Sequence, residues 1–255
     1  MNIAFIGTGN VAWHLTQGLE QVGHQVVSVY SRHSDHAATL CKQLYDAQIK
    51  YDLDFTETNA DIVLVAVADD ALAQVIDSLI LSDEIIVAHT SGSKPMQIFE
   101  DYPYHCGVFY PLQTFSKQHP LNLSKVPFCI EASSNRIEDI LLQLAKSLSD
   151  RVYLINSRER SILHIAAVFA CNFVNHLFVQ SKDILDQAGI DFDILKPLIQ
   201  ETVRKALQTD PKMVQTGPAI RNDRQIIEQH LAYLQKSDVD KRRIYQLLTE
   251  SILNF

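Results

Sequence analysis

The first half of the chain repeats one pattern. A short apolar run is followed by a turn of small or polar residues, then by a stretch with apolar residues at helical spacing. Residues 2–6 are the first apolar run and predict a strand. Residues 11–22 predict a helix, with Val11, Leu15, Leu19 and Val22 near one face and Gly23-His24 as its stop. Residues 25–30 predict the second strand, 34–46 a helix and 49–53 a weak strand. The run 61–67 is apolar throughout, as expected of a parallel strand covered on both faces. A helix is predicted over 70–81, a strand over 84–88 and a crossover over 94–102. Strands at 105–109, 126–131 and 151–155 follow, the last two flanking a helix over 136–148.

After Ile155 the strand signal stops. Asn156 or Ser157 caps a long predicted helix that runs to Gly189. Further helices are predicted over 192–207 (kinked or restarted at Pro197), over 224–235 behind Asp223, and from Ser237 or Asp238 to Leu253. The expected fold is α/β: a doubly wound, mostly parallel Rossmann-type sheet followed by an all-α C-terminal domain. The expected division is a dinucleotide-binding domain, 1–155, and a helical domain, 156–255, for a substrate cleft and dimerisation.

Between the first strand and helix stands Gly7-Thr8-Gly9-Asn10-Val11-Ala12. A G-x-G-x-x-A turn alone is also found as a plain strand-to-helix connection. Here a full βαβ pattern surrounds it. Gly7 permits the tight turn, Gly9 lets the backbone approach a pyrophosphate, and Ala12 lets the helix lie close to the strand. The free N–H groups of the helix start favour phosphate. The second strand ends in Ser31-Arg32-His33 and lacks the acidic residue that accepts from a ribose 2′-hydroxyl. Ser31 and Arg32 instead suit a 2′-phosphate, which selects NADP over NAD and argues against S-adenosylmethionine. Arg32 also reads as a solvated loop arginine.

The carboxyl ends of the other strands add three candidate loops. Ala68-Asp69-Asp70 is expected to wall the adenosine pocket, although Asp69 or Asp70 also reads as a helix cap. His89-Thr90-Ser91-Gly92 would place Ser91 near a nicotinamide. Residues 110–115, Tyr110-Pro111-Leu112-Gln113-Thr114-Phe115, read as a loop over the cleft.

The long helix carries polar residues in an apolar stretch. On regular helix geometry, His164 and Asn175 lie about 20° apart around the axis and Asn172 about 80° from His164. Such groups need partners or a wet cleft. His164 is the first candidate proton donor, Tyr110 the second, and Asn172 or Asn175 would hydrogen-bond a carbonyl or carboxamide. Each also reads as a satisfied core or interface residue. Cys171 reads as small and buried rather than nucleophilic. Arg221, in Thr216-Gly217-Pro218-Ala219-Ile220-Arg221-Asn222-Asp223, suits a substrate carboxylate, while the segment also reads as a turn with an N-cap at Asn222 or Asp223.

Composition narrows the classes. With 47% hydrophobic and 20% charged residues and a net charge of −8, the chain reads as an ordinary globular protein with no basic run for nucleic acid or anionic membrane. The apolar stretch 163–179 is short for a membrane span and reads as a buried core helix. Four scattered cysteines with no C-x-x-C pair, and no signal peptide, suit a cytoplasmic protein. The ten histidines show no metal-binding spacing.

Together, Gly7-Thr8-Gly9-Asn10-Val11-Ala12, Tyr30-Ser31-Arg32, His89-Thr90-Ser91-Gly92, Pro111-Leu112-Gln113-Thr114-Phe115 and Thr216-Gly217-Pro218 with Arg221 and Asp223 resemble a bacterial family of NADP-dependent oxidoreductases. Its members pair a Rossmann-like domain with a helical C-terminal domain of unassigned function. More distantly, the layout is similar to pyrroline-5-carboxylate reductases and β-hydroxyacid dehydrogenases, which use the helical domain to close the nicotinamide site and to dimerise. The resemblance implies an oxidoreductase acting on a small ketone, imine or hydroxy acid, as a homodimer. Two residues depart from it. The catalytic lysine of β-hydroxyacid dehydrogenases is missing, since Lys182, the only lysine of the long helix, lies about 27 Å beyond His164. Tyr110 also stands where relatives often have histidine before Pro-Leu-Gln-Thr-Phe. The missing lysine keeps a second expectation open: a non-catalytic NADP-binding redox sensor or regulatory subunit.

Overall fold

The computed structural model describes residues 1–254; Phe255 and the side chain of Ser237 lie outside the described residues. Eight strands form one sheet in the order β3-β2-β1-β4-β5-β6-β7-β8. They are β1 (Asn2–Ile6), β2 (Gln25–Tyr30), β3 (Gln48–Lys50), β4 (Ile62–Val65), β5 (Ile86–His89), β6 (His105–Pro111), β7 (Phe128–Ala132) and β8 (Val152–Leu154). All neighbours run parallel except β6 and β7. Helices α1 (Asn10–Gln21), α2 (Ser34–Cys41), α3 (Asp69–Asp77) and α4 (Asn135–Leu148) cross between strands.

Alternation along the strands divides the core between the faces of the sheet. Ile3 and Phe5 join Leu15, Leu19, Leu141 and Leu144 in one buried cluster, while Ala4 and Ile6 join Leu72, Ile76 and Phe99 in another. Each fully buried leucine contributes about 1.5–3 kcal/mol relative to exposure. Ser134 caps α4 by accepting from the Ile137 N–H.

Three sequence expectations change here. Helix α2 stops at Cys41, five residues before the expected end at Asp46. His89 belongs to strand β5, where it pairs with Val108. Tyr110 and Pro111 close strand β6, because the antiparallel register with β7 (Tyr110↔Cys129, Pro111↔Phe128) prolongs it. Pro111 lies beyond the last β5 pairing, where its missing N–H costs no bond on that side.

The helices after the sheet are α5 (Ser157–Ala167), α6 (Val174–Gln187), α7 (Lys196–Gln208), α8 (Arg224–Ser237) and α9 (Val239–Leu253). Asn156 and Glu159 form a reciprocal capping box at the start of α5. Asp223 and Asp238 cap α8 and α9, and Asn222 takes a left-handed φ of 53°. Between α5 and α6 the chain makes a π-helical turn, Val168–Phe173. Its i→i+5 bonding breaks the regular helical period, so the angles expected among His164, Asn172 and Asn175 do not apply.

The chain packs as two compact units, Met1–Cys171 and Asn172–Phe255, so α5 belongs with the sheet. The apolar stretch 163–179 was expected to be buried. In the single chain it is not: Ile165 is 57% and Val179 48% exposed, and Cys171 is exposed too. By length and composition alone, Ser157–Gln187 could cross a membrane.

Candidate active site

The carboxyl edge of the sheet collects the candidate residues in strand order. Ser31 follows β2, Gly7 follows β1, Ala66 to Asp69 follow β4, Thr90 to Gly92 follow β5, and Tyr110 lies at the end of β6. A cleft of about 480 Å³ opens over the first three strands, a size that suits a small ligand.

Gly7, Thr8, Gly9 and Asn10 line this cleft with Ser31, Arg32 and Ala68. Gly7 has φ +110°, and a Cβ there would stand 2.2 Å from the Ala66 carbonyl oxygen, so only glycine fits. Gly9 is different. A Cβ on it would meet nothing within 4 Å, so no protein atom requires its bareness. The space above it is what a pyrophosphate on the α1 N-terminus needs. Thr8 Oγ1 donates to Ser31 Oγ at 3.4 Å, joining the glycine turn to the end of β2. Val11 is not on the cleft; it packs partly buried against the core.

The cleft lining also includes Tyr30, His33, His36 and Lys117, of which His36 and Lys117 had no place in the sequence reading. The imidazoles of His33 and His36 meet edge to face, 5.3 Å between centroids. Lys117 reaches the cleft from the loop after β6, with its ammonium 5.2 Å from the centre of the Trp13 ring. His14, on the same helix as Trp13, bonds the Ser116 carbonyl at 2.9 Å and holds this loop to α1. Among the described residues no carboxylate lines the cleft.

Along the edge, under β5 and β6, Tyr110 Oη lies 3.2 Å from His164 Nδ1. Gly92 makes this pair possible, since a Cβ there would stand 2.6 Å from Tyr110 Cζ and 2.7 Å from His164 Nδ1. Burial, helped by nearby Cys129, pushes the Tyr110 phenol up to about 12, so it stays protonated at neutral pH. Ser91, also a candidate, is buried, and its Oγ accepts from the Ser93 and Lys94 N–H groups at 3.2 and 3.0 Å. It shapes this turn. Ser93 Oγ in turn donates to Asp69 Oδ2 at 2.5 Å, tying the β5 and β4 loops together.

Behind the pair lies an ionic anchor that the sequence did not suggest. Arg160 on α5 is 1% exposed, and its Nη1 pairs with Glu131 Oε2 from β7. Its Nη2 donates to the Lys94 carbonyl at 2.7 Å and to Ser157 Oγ at 3.2 Å. Ser157 Oγ in turn donates to Glu131 Oε2 at 2.7 Å. This network fixes the first turns of α5, which carries His164, to the sheet. Close by, His89 is fully buried and stacks on Phe99, and its Nδ1 accepts from the Ser91 N–H at 3.2 Å. Burial, then the Arg160 charge, lowers its pKa to about 3, with the Pro95 carbonyl and Asp69 opposing the shift.

Asn172, Asn175 and Arg221 belong to the second unit, where all three are exposed. Among the described residues no group of histidine, cysteine and carboxylate side chains could hold a metal ion.

A mostly parallel sheet with a glycine turn at its carboxyl edge, beside a cleft lined by no carboxylate among the described residues, defines a dinucleotide-binding protein. Residues 2–92 match the family described as "NADP oxidoreductase coenzyme F420-dependent", and residues 126–252 match a "domain of unknown function (DUF2520)". A protein from Bacteroides fragilis, described as a putative NADP oxidoreductase, is 40% identical; the match covers 100% of this chain and 98% of that one, with a TM-score of 0.90. The chain belongs to this family of NADP oxidoreductases. The fold is shared with a reductive aminase from Aspergillus terreus, in complex with NADPH and ethyl-5-oxohexanoate (11% identity, TM-score 0.76, 99% of this chain and 93% of that one). It is shared too with an imine reductase from Myxococcus stipitatus, in complex with NADP+ (15% identity, TM-score 0.68, 100% and 92%). No curated protein matches the chain.

Proposed function

We propose that this protein moves a hydride between NADP and a small ketone, imine or hydroxy acid, with His164 as the proton donor. The observation that carries the reading is the Tyr110–His164 pair, on the same sheet edge as a cleft lined by Arg32 and by no carboxylate.

The cofactor would lie with its pyrophosphate on Gly7 to Asn10, its 2′-phosphate on Ser31 and Arg32, and Ala68 along the adenosine. When bound, NADPH supplies the hydride. The protein supplies position and a proton. As the imidazolium, His164 would donate its Nδ1–H to Tyr110 Oη and its Nε2–H toward the substrate. The Nε2 proton would pass to the substrate oxygen or nitrogen as the hydride arrives and leave a neutral imidazole. Tyr110, kept protonated by its burial, is the group that orients the ring. Asn172, Asn175 and Arg221 are proposed as substrate-binding groups of the helical unit, the amides for a carbonyl and Arg221 for a carboxylate.

The same reading makes the protein a cytoplasmic homodimer. Ile162, Ile165, Leu198 and Leu207 are 59, 57, 62 and 83% exposed in the single chain, and a second copy would cover such a surface. A lipid bilayer would instead have to take up His164, Asn172, Asn175 and His176 within one helical stretch, at several kcal/mol.

The test is NADPH oxidation against a panel of cyclic imines, ketones and hydroxy acids, with wild-type protein and the His164→Ala and Arg32→Ala variants. His164→Ala should lose turnover and keep NADPH binding, and Arg32→Ala should lose preference for NADPH over NADH. Undiminished turnover in His164→Ala removes His164 from the donor role. The absence of a lysine from α5 favours a second reading, a non-catalytic NADP-binding sensor or regulatory subunit. Tight NADPH binding with no turnover on the whole panel would select it.

A further inference from the structure

We propose that His33 and His36 make NADP binding proton-linked: the protein takes up a proton when the 2′-phosphate enters, and no proton when NAD enters. The inference rests on the NADP reading above and adds a regulation to that site.

The two imidazoles line the cleft beside Ser31 and Arg32, 5.3 Å apart and inclined at 62°. Imidazole changes charge between about pH 5 and 8. A phosphate monoester, with a second pKa near about 6, is a dianion over most of that range. Arg32, next to Ser31, supplies one fixed positive charge against the two negative charges of the dianion, while Lys117, the other fixed cation of the cleft, is held over the Trp13 ring. A protonated imidazole beside Ser31 and Arg32 would meet the second negative charge with a charge-assisted hydrogen bond. NAD carries a hydroxyl at the same position and gives the imidazoles no reason to hold a proton.

The ionisable groups around the pair do not take over this task. Asp35 follows on α2 and lies outside the cleft lining, and Cys41 and Lys42 stand at the far end of that helix. Tyr30 ends β2 and Arg32 stands between it and His33. On β3, which packs against α2, Lys50 is held by Asp52 at 2.7 Å. Lys117 lines the cleft but keeps its charge across the range. The two histidines are therefore the imidazoles of this cleft, the side-chain class suited to a proton-linked role near neutrality.

The direction follows from linkage. If binding the dianion raises one imidazole pKa by one unit, affinity is about tenfold weaker above both values than below them. The loss occurs as pH rises through the upper part of the range in which imidazole changes charge, where the phosphate itself stays mostly dianionic.

Isothermal titration of NADP+ and NAD+ at pH 6.5, 7.5 and 8.5, in two buffers of different ionisation enthalpy, tests this. The expected result is NADP+ affinity falling several-fold, at most about tenfold, across the range with proton uptake at the lower pH values, and NAD+ affinity that does not follow pH. A His33→Gln/His36→Gln variant should lose the proton uptake and bind NADP+ throughout as the wild type does at pH 8.5. NADP+ binding without proton uptake, or uptake that survives in the double variant, overturns the proposal and leaves the NADP reading standing. Failure of NADP+ to bind at any pH overturns both.

Discussion

Tyr110 and His164, 54 positions apart in the chain, meet with Oη 3.2 Å from Nδ1, and the bare Cα of Gly92 is what leaves room for them. The pair joins a strand end to a helix that are each expected to carry chemistry for separate reasons.

If Tyr110 orients and His164 donates, their variants must differ in size. Tyr110→Phe keeps the ring and loses the hydrogen bond, and should lower kcat roughly ten- to a hundredfold. His164→Ala should lower it about a hundredfold or more. Steady-state kinetics at saturating NADPH measure both, and a slower Tyr110→Phe than His164→Ala would reverse the two roles.

Gly92→Ala would bring a methyl group within 2.8 Å of both Tyr110 Oη and His164 Nδ1. One of the rings must move. Turnover should fall at least about tenfold, with a stability cost of about 1–3 kcal/mol. Unchanged kcat in a folded variant would place the reacting centre elsewhere.

Glu131→Gln leaves the buried Arg160 charge without its counter-charge. Breaking such a pair costs about 3–5 kcal/mol, read as a lower urea midpoint. Replacing both partners, as Glu131→Gln with Arg160→Met, should recover part of the loss. A double variant no more stable than the single would show that the cost does not come from the stranded charge.

His89 sets an acid limit on stability. Its folded-state pKa, about 3 because of burial and Arg160, lies below that of the unfolded chain. Between the two values the unfolded state binds the extra proton. Stability is therefore full above about pH 6.5 and falls on acidification, with a slope approaching about 1.4 kcal/mol per pH unit. His89→Asn, whose amide oxygen can still accept from the Ser91 N–H, should flatten this slope in urea titrations between pH 4 and 7 (approximate buffer limits).

The sheet was legible because parallel strands covered on both faces are continuous apolar runs, as at Ile62–Val65 and Ile86–His89. The glycine turn was legible because its constraints are local: Gly7 needs a positive φ and a bare Cα within a few residues of β1. What stayed hidden depends on contacts distant in sequence. Tyr110 and Pro111 read as loop until β7 pairs with them. No local signal marks Arg160 or Glu131, and only packing brings these residues, 29 positions apart, together. The π-helical turn at Val168–Phe173 has no glycine or proline to announce it. His36 carries no local signal, and the fold brings it to the same cleft as Gly7 and Lys117.

Trp13 is the sole tryptophan of the chain, and it stacks under Lys117, a residue of the cleft wall. Its ultraviolet emission overlaps the absorption of a reduced nicotinamide and responds to any departure of the ammonium from its ring. The molecule thus carries its own optical gauge. One unlabelled sample can report both the arrival of a reduced dinucleotide and the movement of the loop that holds Lys117.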